Sequence, residues 1–506
     1  MLSKVKSCAV VGLDGATVDV EVDISPGLPS FSIVGLPDKA VQEARERVRA
    51  AIRNSGYSFL NRRITVNLAP ADLKKEGPAY DLPIAIGLLV SSGQLNADLT
   101  GSVFLGELSL DGKLRHTHGV LPMVALARDV GLSRVFVPQD DAKEASLISD
   151  IDIFPVESLS QLTSHLHNET IIPQYHNDID WYQNIKNDYV FDLSYVKGQE
   201  HAKRALEIAA AGRHNVLMCG PPGSGKTMLA RSLPSILPQL TMKEAIEVTK
   251  IYSVSGMLPK DTPIITERPF RSPHYTISQA GLVGGGQWPR PGEISLSHRG
   301  VLFLDELPEF GRSSLESLRQ PLEDKVITVS RARGTVTFPA NFMLVAAMNP
   351  CPCGYYGDPF KECKCSVGEI YRYHKKISGP LLDRIDIFLD VPHIDYEKLT
   401  ESKLSETSAE VGERIKASHI IQLERFRNTE LKCNADMTVR EVKDFCQVES
   451  AAQGLLRTAM KQLHLTARAF HHILKLSLTI ADLERAEIIK THHVAEALQY
   501  RHKELI

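Results

Sequence analysis

The sequence predicts an α/β protein of several domains, and three observations support this fold class. The chain has 506 residues, too many for one ordinary hydrophobic core, so two to four domains are expected. Hydrophobic residues make up 43% and charged residues 24% of the chain, as in globular proteins. A short apolar run at 215–219 is followed by a glycine-rich loop and a helical segment, the strand-loop-helix order of an α/β sheet.

The glycine-rich loop is a complete phosphate-binding motif, G-x-x-x-x-G-K-[ST]. Its residues are Gly220, Pro221, Pro222, Gly223, Ser224, Gly225, Lys226 and Thr227. Backbone N–H groups turned inward by the glycines, together with the following helix N-terminus, favour phosphate oxygens. Lys226 is expected to reach the β- and γ-phosphates of ATP, and the Thr227 hydroxyl to hold Mg²⁺. The alternative is a structural turn before a helix.

Two further apolar runs end in polar residues suited to hydrolysis. Residues 301–304 form a predicted buried strand that ends at Asp305 and Glu306. Asp305 is expected to hold Mg²⁺, and Glu306 to polarise the attacking water. A second strand at 342–348 ends at Asn349, whose amide would lie between the Asp305 strand and the phosphate loop. The alternative for Asn349 is a strand-terminating residue before proline.

Two arginines are candidates for stabilising charge on the transferred phosphoryl group. Arg384 lies in the stretch Ser378–Asp386 and is a candidate arginine finger, acting on the ATP of a neighbouring subunit. A salt bridge with Asp383 or Asp386 is the alternative. Arg468 opens a C-terminal helix, from which it is expected to reach the γ-phosphate.

Four of the eight cysteines lie within 15 residues, which suggests a metal site rather than a disulfide framework. These are Cys351, Cys353, Cys363 and Cys365. Four thiolates suit a tetrahedral structural Zn²⁺, and reduced, metal-free thiols are the alternative. Because the cluster lies between Asn349 and Arg384, a metal there is expected to brace the connecting loop.

The N-terminal residues 1–165 are predicted to form an α/β domain. Asp38 is a good N-cap for a helix whose apolar positions share one face. The other face of this helix carries Arg45, Arg47, Arg49 and Arg53. These arginines indicate either a solvated helix face or a DNA contact.

The order of the motifs matches AAA+ ATPases: Walker A, Walker B, sensor 1, arginine finger and sensor 2. The stretches at 268–274 and 284–296 are unusual for a simple P-loop unit, as is a predicted hairpin at 326–338. With these stretches the chain resembles, over nearly its whole length, the Mg-chelatase-like AAA+ proteins of the YifB/ComM family. Some members of the family carry arginine where this chain has His472 and Leu478.

The resemblance implies a domain order for the whole chain. Residues 1–165 are similar to the Lon-protease domain, of the ribosomal S5 domain 2-like fold, but Ala79 stands at the serine position and Leu121 near the lysine position. Proteolysis is therefore not expected. A linker follows at 166–192, then an AAA+ core at 193–392 with helix-2 and pre-sensor-1 hairpin inserts and the cysteine loop 351–365. A helical lid spans 393–506.

The resemblance also implies an ATP-hydrolysing, homo-hexameric DNA motor, a helicase promoting branch migration during natural transformation. Its partner is single-stranded or branched DNA, gripped by hairpin residues Arg331 and Arg333, for which a surface turn is the alternative. Other interpretations are a magnesium-chelatase-like metal-insertion ATPase and a protein-remodelling ATPase. The net charge of −3 requires any DNA contacts to be local. The longest apolar run, 82–90, is too short to span a membrane, and a cytoplasmic location is expected.

Overall fold

The computed structural model describes residues 2–75, 77–176, 190–259, 262–286, 289–331, 334–393 and 406–501. The chain divides into two compact units. Unit 1 contains Met1–Ile185 and Met242–Ile265. Unit 2 contains Lys186–Thr241 and Thr266–Ile506.

The first 176 residues contain nine strands and five helices within the described range. The strands are β1 Leu2–Val11, β2 Asp14–Ser25, β3 Ser30–Val34, β4 Arg63–Ala69, β5 Ser102–Phe104, β6 Glu107–Leu108, β7 Leu114–Arg115, β8 Arg134–Pro138 and β9 Asp152–Val156. The helices are α1 Lys39–Asn54, α2 Asp81–Ser91, α3 Val120–Asp129, α4 Ala142–Ala145 and α5 Leu159–Leu166.

The remaining elements follow in chain order. The helices are α6 Glu200–Gly212, α7 Lys226–Ile236, α8 Met242–Ser255, α9 Gln279–Val283, α10 Glu293–Leu296, α11 Arg312–Ser317, α12 Arg319–Asp324, α13 Val367–His374, α14 Gly379–Leu382, α15 Ser408–Arg425, α16 Val439–Phe445, α17 Ser450–Gln462, α18 Ala467–Leu483 and α19 Thr491–Gln499. The strands are β10 Val216–Cys219, β11 Phe270–Arg271, β12 Gly284–Gly285, β13 Arg290–Pro291, β14 Val301–Leu304, β15 Val326–Arg331, β16 Gly334–Pro339, β17 Met343–Met348 and β18 Ile387–Asp390.

Unit 1 is built on a seven-stranded mixed sheet of order β3-β4-β2-β1-β5-β8-β9. Its central strands β1, β2 and β4 pair antiparallel, whereas the flanking pairs are parallel. Alternate residues of β2 and β4 are buried, as the period-two pattern predicts. Helices α1 and α2 pack their apolar residues into the same core. Period-two alternation at 16–22 and 63–68 predicts two strands, and β2 and β4 confirm this prediction.

Helix α1 begins and buries its apolar face as the sequence predicts. The Asp38 side chain accepts a hydrogen bond from the Val41 backbone N–H, the interaction of an N-cap. Val41, Val48 and Ile52 are buried. Arg47 departs from the predicted solvated face: its guanidinium donates to both carboxylate oxygens of Asp81, at 2.6 and 3.0 Å. Arg47 is therefore a structural residue of unit 1.

Unit 2 is built on a five-stranded, all-parallel sheet of order β11-β14-β17-β10-β18. The strands β10, β14 and β17 are the apolar runs that the sequence predicts to be buried, and this is confirmed. Strand β17 pairs with β14 on one side and with β10 on the other. The predicted position of Asn349, between the Asp305 strand and the phosphate loop, follows from this order.

Two small antiparallel hairpins accompany the sheet. Strands β12 and β13 form a two-residue ladder within the stretch 284–291. Strands β15 and β16 form a six-residue ladder from the Val326–Pro339 pair to the Arg331–Gly334 pair. The predicted turn residue Arg333 and the side chain of Arg331 lie outside the described residues.

The described residues after 406 are mainly helical, as predicted. Apolar periodicity at 409–426 and 467–482 predicts two long helices, which correspond to α15 and α18. The segment 242–265 lies within the predicted AAA+ core at 193–392, but in the structure it belongs to unit 1. Within unit 1, Ser253 of α8 donates to a Glu144 carboxylate oxygen at 2.6 Å. None of the helices in the described ranges is long and apolar enough to cross a membrane.

Replacing Arg47 with methionine is expected to destabilise unit 1 by about 3–5 kcal/mol, because the completely buried Asp81 carboxylate would lose its ionic partner. Hydrogen exchange of unit 1 peptides in increasing urea measures this loss. Arg53→Ala is the matched control, since Arg53 is exposed on the same helix and should shift stability by about 0.5 kcal/mol at most. Equal losses in both variants would contradict the structural role of Arg47.

Candidate functional site

The phosphate loop connects β10 directly to α7. Gly223 and Gly225 have φ values of +80° and +90°, in the left-handed region that glycine adopts without a steric penalty. A Cβ atom at Gly220 would lie 2.1 Å from the Val391 carbonyl oxygen. These three glycines therefore determine the loop conformation, with α7 beginning at Lys226.

Lys226 lies buried inside this loop. Its Nζ donates to the carbonyl oxygens of Gly220, at 2.7 Å, and Pro221, at 2.9 Å. It also lies 3.4 Å from Oδ1 of Asn349. Burial lowers the pKa of Lys226, so this ammonium group lacks an anionic partner strong enough to offset its desolvation. A phosphate in the loop would supply such a partner.

The two residues predicted to hold Mg²⁺ are in direct contact. The Thr227 hydroxyl, in the first turn of α7, donates to Oδ2 of Asp305 at 2.9 Å. Asp305 follows the last residue of β14. A hydroxyl and a carboxylate at this separation are oxygen ligands of the type that Mg²⁺ prefers. The two residues thus fit one Mg²⁺ site beside the phosphate loop.

Glu306 is exposed next to this pair and has an unusual backbone conformation. Its φ of +53° is left-handed, which costs a residue other than glycine about 1–3 kcal/mol. Its N–H donates to Oδ1 of Asp305 at 3.0 Å. Such conformations cluster at functional sites, which agrees with the predicted role of Glu306 in orienting water.

The four cysteines lie close together, as the metal interpretation requires. Sulfur–sulfur distances of 3.3, 3.7 and 3.6 Å join Cys351, Cys353 and Cys363, and all four Sγ atoms lie within 4.8 Å of one another. A tetrahedral zinc site with Zn–S bonds near 2.3 Å places its sulfur atoms about 3.8 Å apart. A backbone N–H of Tyr355 lowers the pKa of Cys353 to about 6. The pKa values of Cys363 and Cys365 are raised instead, because the backbone hydrogen bonds that these two thiols accept are outweighed by burial and the neighbouring thiols. The cluster therefore fits a Zn²⁺ ion.

The cysteine loop packs against the phosphate loop. A Cβ atom at Gly354 would lie 2.6 Å from Cδ of Pro222 and 3.9 Å from the side-chain amide carbon of Asn349. Gly354 has a φ of +89°, so only glycine fits there without strain. The cysteine loop therefore supports the phosphate loop and Asn349. The sequence predicts that it braces the connection between Asn349 and Arg384, whereas its contacts lie closer to the nucleotide site.

A second group of possible metal ligands, Glu484, His492 and His493, is better explained by hydrogen bonds. Nδ1 of His493 accepts from the backbone N–H of Lys490 at 3.0 Å. In the neutral ring the proton is then on Nε2, which donates to Glu484 at 3.0 Å. A metal would need the lone pair at this nitrogen.

Arg384 and Arg468 converge on one carboxylate, that of Glu323 at the end of α12. Arg384 forms an ion pair with Oε2 of Glu323, and Arg468 lies 3.5 Å from Oε1. The three residues line a cavity of about 570 Å³, and no phosphate-loop residue is among the described residues that line it. The alternative pairing of Arg384 with Asp383 or Asp386 does not occur among the described contacts.

Asp386 is buried near the two arginines and pairs with other residues. Its carboxylate accepts from the backbone N–H of Asn215, at 2.9 Å, and forms a short contact with Nδ1 of His472. Burial would raise the pKa of Asp386, but His472 and His214 hold it well below its usual range. Since His472 is one helical turn after Arg468, this contact joins the Arg384 segment to α18.

The structure adds two residues, Asn215 and Glu323, that the sequence does not predict as site residues. The Asn215 amide donates to the Arg384 carbonyl at 3.0 Å and accepts from the Leu344 N–H at 2.9 Å. It thereby connects β17 with the Arg384 segment. Neither residue belongs to a motif with a fixed spacing to its partners, so the sequence contains no signal for these contacts.

Three family models match consecutive parts of the chain. "Magnesium chelatase, subunit ChlI" matches residues 192–399, "Subunit ChlI of Mg-chelatase" matches 20–141, and "Magnesium chelatase, subunit ChlI C-terminal" matches 405–501. The Magnesium-chelatase 38 kDa subunit of Rhodobacter capsulatus is 28% identical over 180 residues, covering 32% of this chain and 51% of that subunit.

Two relatives match almost the whole chain. Competence protein ComM of Haemophilus influenzae is 44% identical over 505 residues, covering 99% of this chain and 97% of the relative. Uncharacterized protein YifB of Escherichia coli is 42% identical over 502 residues, again covering 99% and 97%. Family membership implies AAA+ ATPase activity with ATP and Mg²⁺. The chain belongs to the Mg-chelatase-like YifB/ComM family of AAA+ proteins.

Proposed function

We propose that the chain is an ATP-driven DNA motor. The observation that carries the proposal is the convergence of Lys226, Thr227, Asp305 and Asn349 at one edge of a parallel sheet. In this proposal the phosphate loop and Lys226 bind the phosphates of ATP, and Thr227 and Asp305 hold Mg²⁺. Glu306 orients the attacking water, and Asn349 orients water or contacts the γ-phosphate.

The motor is a homo-hexameric ring in which each ATP lies between two subunits. Arg384 and Arg468 share Glu323 in a cavity separate from the phosphate-loop residues, which supports their action on the ATP of the neighbouring subunit. The γ-phosphate of that ATP replaces Glu323 as their anionic partner when the interface closes. In this assembly each subunit supplies half of an active site.

The substrate of the motor is single-stranded or branched DNA. The sequence predicts Arg331 and Arg333 for the turn of the hairpin β15–β16, and in this proposal they contact DNA phosphates in a central pore. The similarity to Competence protein ComM over 99% of the chain supports a competence-related role. In this proposal the chain acts in the cytoplasm as a helicase that promotes branch migration of DNA during natural transformation.

The domain order proposed from the sequence assigns 1–165 to a Lon-like domain, 166–192 to a linker, 193–392 to the AAA+ core with its inserts, and 393–506 to a helical lid. Residues 177–189 of the linker and 394–405 of the lid lie outside the described residues. Ala79 and Leu121 are both buried and supply neither a hydroxyl nor an amine, so no proteolytic activity is proposed for this domain.

A magnesium-chelatase-like activity is the second candidate, because all three matching family models bear the name of a magnesium-chelatase subunit. Two magnesium-chelatase subunits themselves are similar to only about a third of the chain, 33% and 32% of its length. The DNA motor is therefore favoured. A protein-remodelling ATPase would use the same ATPase site. It is distinguished from a DNA motor because DNA would not stimulate its ATP hydrolysis.

The central experiment measures ATP hydrolysis by the full chain with and without single-stranded or branched DNA, alongside its native mass. DNA is expected to stimulate hydrolysis by a hexamer. The Glu306→Gln variant is expected to lose about 10²–10⁴-fold in kcat while still binding ATP, since it lacks only the group that polarises water.

Glu309→Gln is the matched control for that experiment. Glu309 is exposed and pairs with Lys376 at 3.1 Å, so its loss should change kcat by about twofold at most. A monomer whose hydrolysis ignores every DNA would exclude the motor. Stimulation by an unfolded protein instead of DNA would favour remodelling.

Mixing two inactive variants tests whether the site is shared between subunits. Lys226→Ala removes the phosphate ligand and Arg384→Ala removes the finger, and each alone should lose about 10³-fold or more in kcat. An equimolar mixture that exchanges subunits should recover about a quarter of the wild-type activity, because one interface in four joins an intact loop to an intact finger. An unrestored mixture of verified hetero-oligomers would contradict the shared site.

The cysteine cluster is proposed to hold a structural Zn²⁺. Elemental analysis of the purified chain is expected to find about one zinc per subunit, and Cys363→Ser/Cys365→Ser should abolish it. This variant should also increase hydrogen exchange in the phosphate loop, which contacts the cysteine loop through Gly354. Cys446→Ala, outside the cluster, should retain the metal. A wild-type chain without zinc would support reduced, metal-free thiols.

A further inference from the structure

Unit 1 carries a basic, aromatic-lined pocket that the proposed motor does not use. We define the α1 pocket by Phe31 on β3, Arg45 and Arg49 on α1, and Phe59 and Arg62 in the loop before β4. Its volume is about 220 Å³. Glu46 is the single acidic residue among the described residues that line it. The pocket is thus concave and has a positive lining.

The structure separates the arginines of α1 into two groups. Arg47 is neutralised by its ion pair with the buried Asp81. Arg45 and Arg49, four residues apart on the helix, instead face the α1 pocket. Their backbone positions differ by about 6 Å along the helix axis. The sequence leaves two alternatives for the arginines of α1, a solvated face or a DNA contact. These alternatives therefore apply to Arg45 and Arg49 and not to Arg47.

Neither Arg45 nor Arg49 has an acidic partner within the described residues. Arg45 donates one long hydrogen bond, 3.5 Å, to the Phe31 carbonyl oxygen. The Arg49 guanidinium lies 5.5 Å from the centre of the Phe59 ring. Nε of Arg49 is buried without a hydrogen-bond partner in the described part of the chain. Buried polar groups normally have a partner, so its absence shows that Arg49 is not engaged in a structural contact of the kind that Arg47 makes.

The aromatic rings give the pocket a second recognition chemistry. Phe31 and Phe59 are half-buried, and their ring centres are 6.1 Å apart. Single-stranded nucleic acids bind where basic side chains contact the phosphates and aromatic rings stack on unpaired bases. An acidic peptide would use the arginines and leave the ring faces without planar partners.

We propose that the α1 pocket is a binding site for single-stranded nucleic acid, with Arg45, Arg49 and Arg62 contacting phosphates and Phe59 or Phe31 stacking on a base. The choice of nucleic acid as the ligand rests on the proposed function. It adds a second DNA site on unit 1, separate from the hairpin of unit 2.

The test measures binding of the full chain, without nucleotide, to a fluorescein-labelled oligo(dT) by anisotropy at several salt concentrations. Arg45→Ala/Arg49→Ala should weaken binding about tenfold and reduce the slope of log K against log salt by about 1.4, since each single-strand phosphate contact contributes about 0.7. Phe59→Leu keeps an apolar side chain in the core and should weaken binding about fivefold without changing the slope.

Lys39→Ala/Lys143→Ala is the matched control, because it removes two exposed positive charges of unit 1 that lie outside the pocket. It should leave both affinity and slope near those of the wild type. All of these variants should retain the basal ATPase activity. An unchanged slope in Arg45→Ala/Arg49→Ala would overturn the proposal. Binding of poly-glutamate is measured in the same way. If the wild type binds poly-glutamate as tightly as oligo(dT), and Arg45→Ala/Arg49→Ala weakens both equally, the proposal would be overturned in favour of an acidic protein partner.

The same experiment separates this inference from the proposed function. If the oligonucleotide binds through the pocket but no DNA stimulates ATP hydrolysis, the motor is excluded and the binding site stands. If DNA stimulates hydrolysis equally in the wild type and the pocket variants, and their affinities are also equal, the motor stands and the binding site is excluded.

Discussion

The parallel pairing of β17 with both β10 and β14 is the interaction on which the candidate site depends. In this register Met348 lies beside Cys219, and Ala346 beside Leu304. The three strands therefore end at one edge of the sheet, where their next residues begin the phosphate loop, the Asn349 turn and the Asp305 turn. Hydrogen-bonded strands cannot slip without breaking the ladder, so these polar groups are held within contact distance.

The buried carboxylate of Asp386 positions the two arginines, Arg384 and Arg468, that are proposed to act on ATP. A charge inside a protein is tolerated only when it is paired, and Asp386 is paired with His472 and the Asn215 N–H. Arg384 is two residues before Asp386, and Arg468 is one helical turn before His472. The pairing of Asp386 thus brings both arginines to Glu323. Their position results from a buried charge that is not itself part of the proposed reaction.

Helix α1 illustrates how one residue type acquires two functions from its surroundings. Arg47 and Arg49 are two residues apart, yet one binds a buried carboxylate and the other lies over an aromatic ring. Helical geometry turns side chains two positions apart toward different neighbours. The two residues carry the same charge, but their contacts differ. Arg47 stabilises unit 1 through Asp81, whereas Arg49 lines the α1 pocket.

The sequence by itself determined the elements and the residues with local signals. The strands β10, β14 and β17, the N-cap Asp38, the phosphate loop and the cysteine cluster follow from short-range patterns of burial, turn chemistry and spacing. Tertiary structure alone decided the contacts between residues distant in the chain. Glu323 meets Arg384 across 61 residues and Arg468 across 145, and the segment 242–265 joins unit 1. Such contacts depend on how whole elements pack, and no periodicity or spacing in the sequence specifies them.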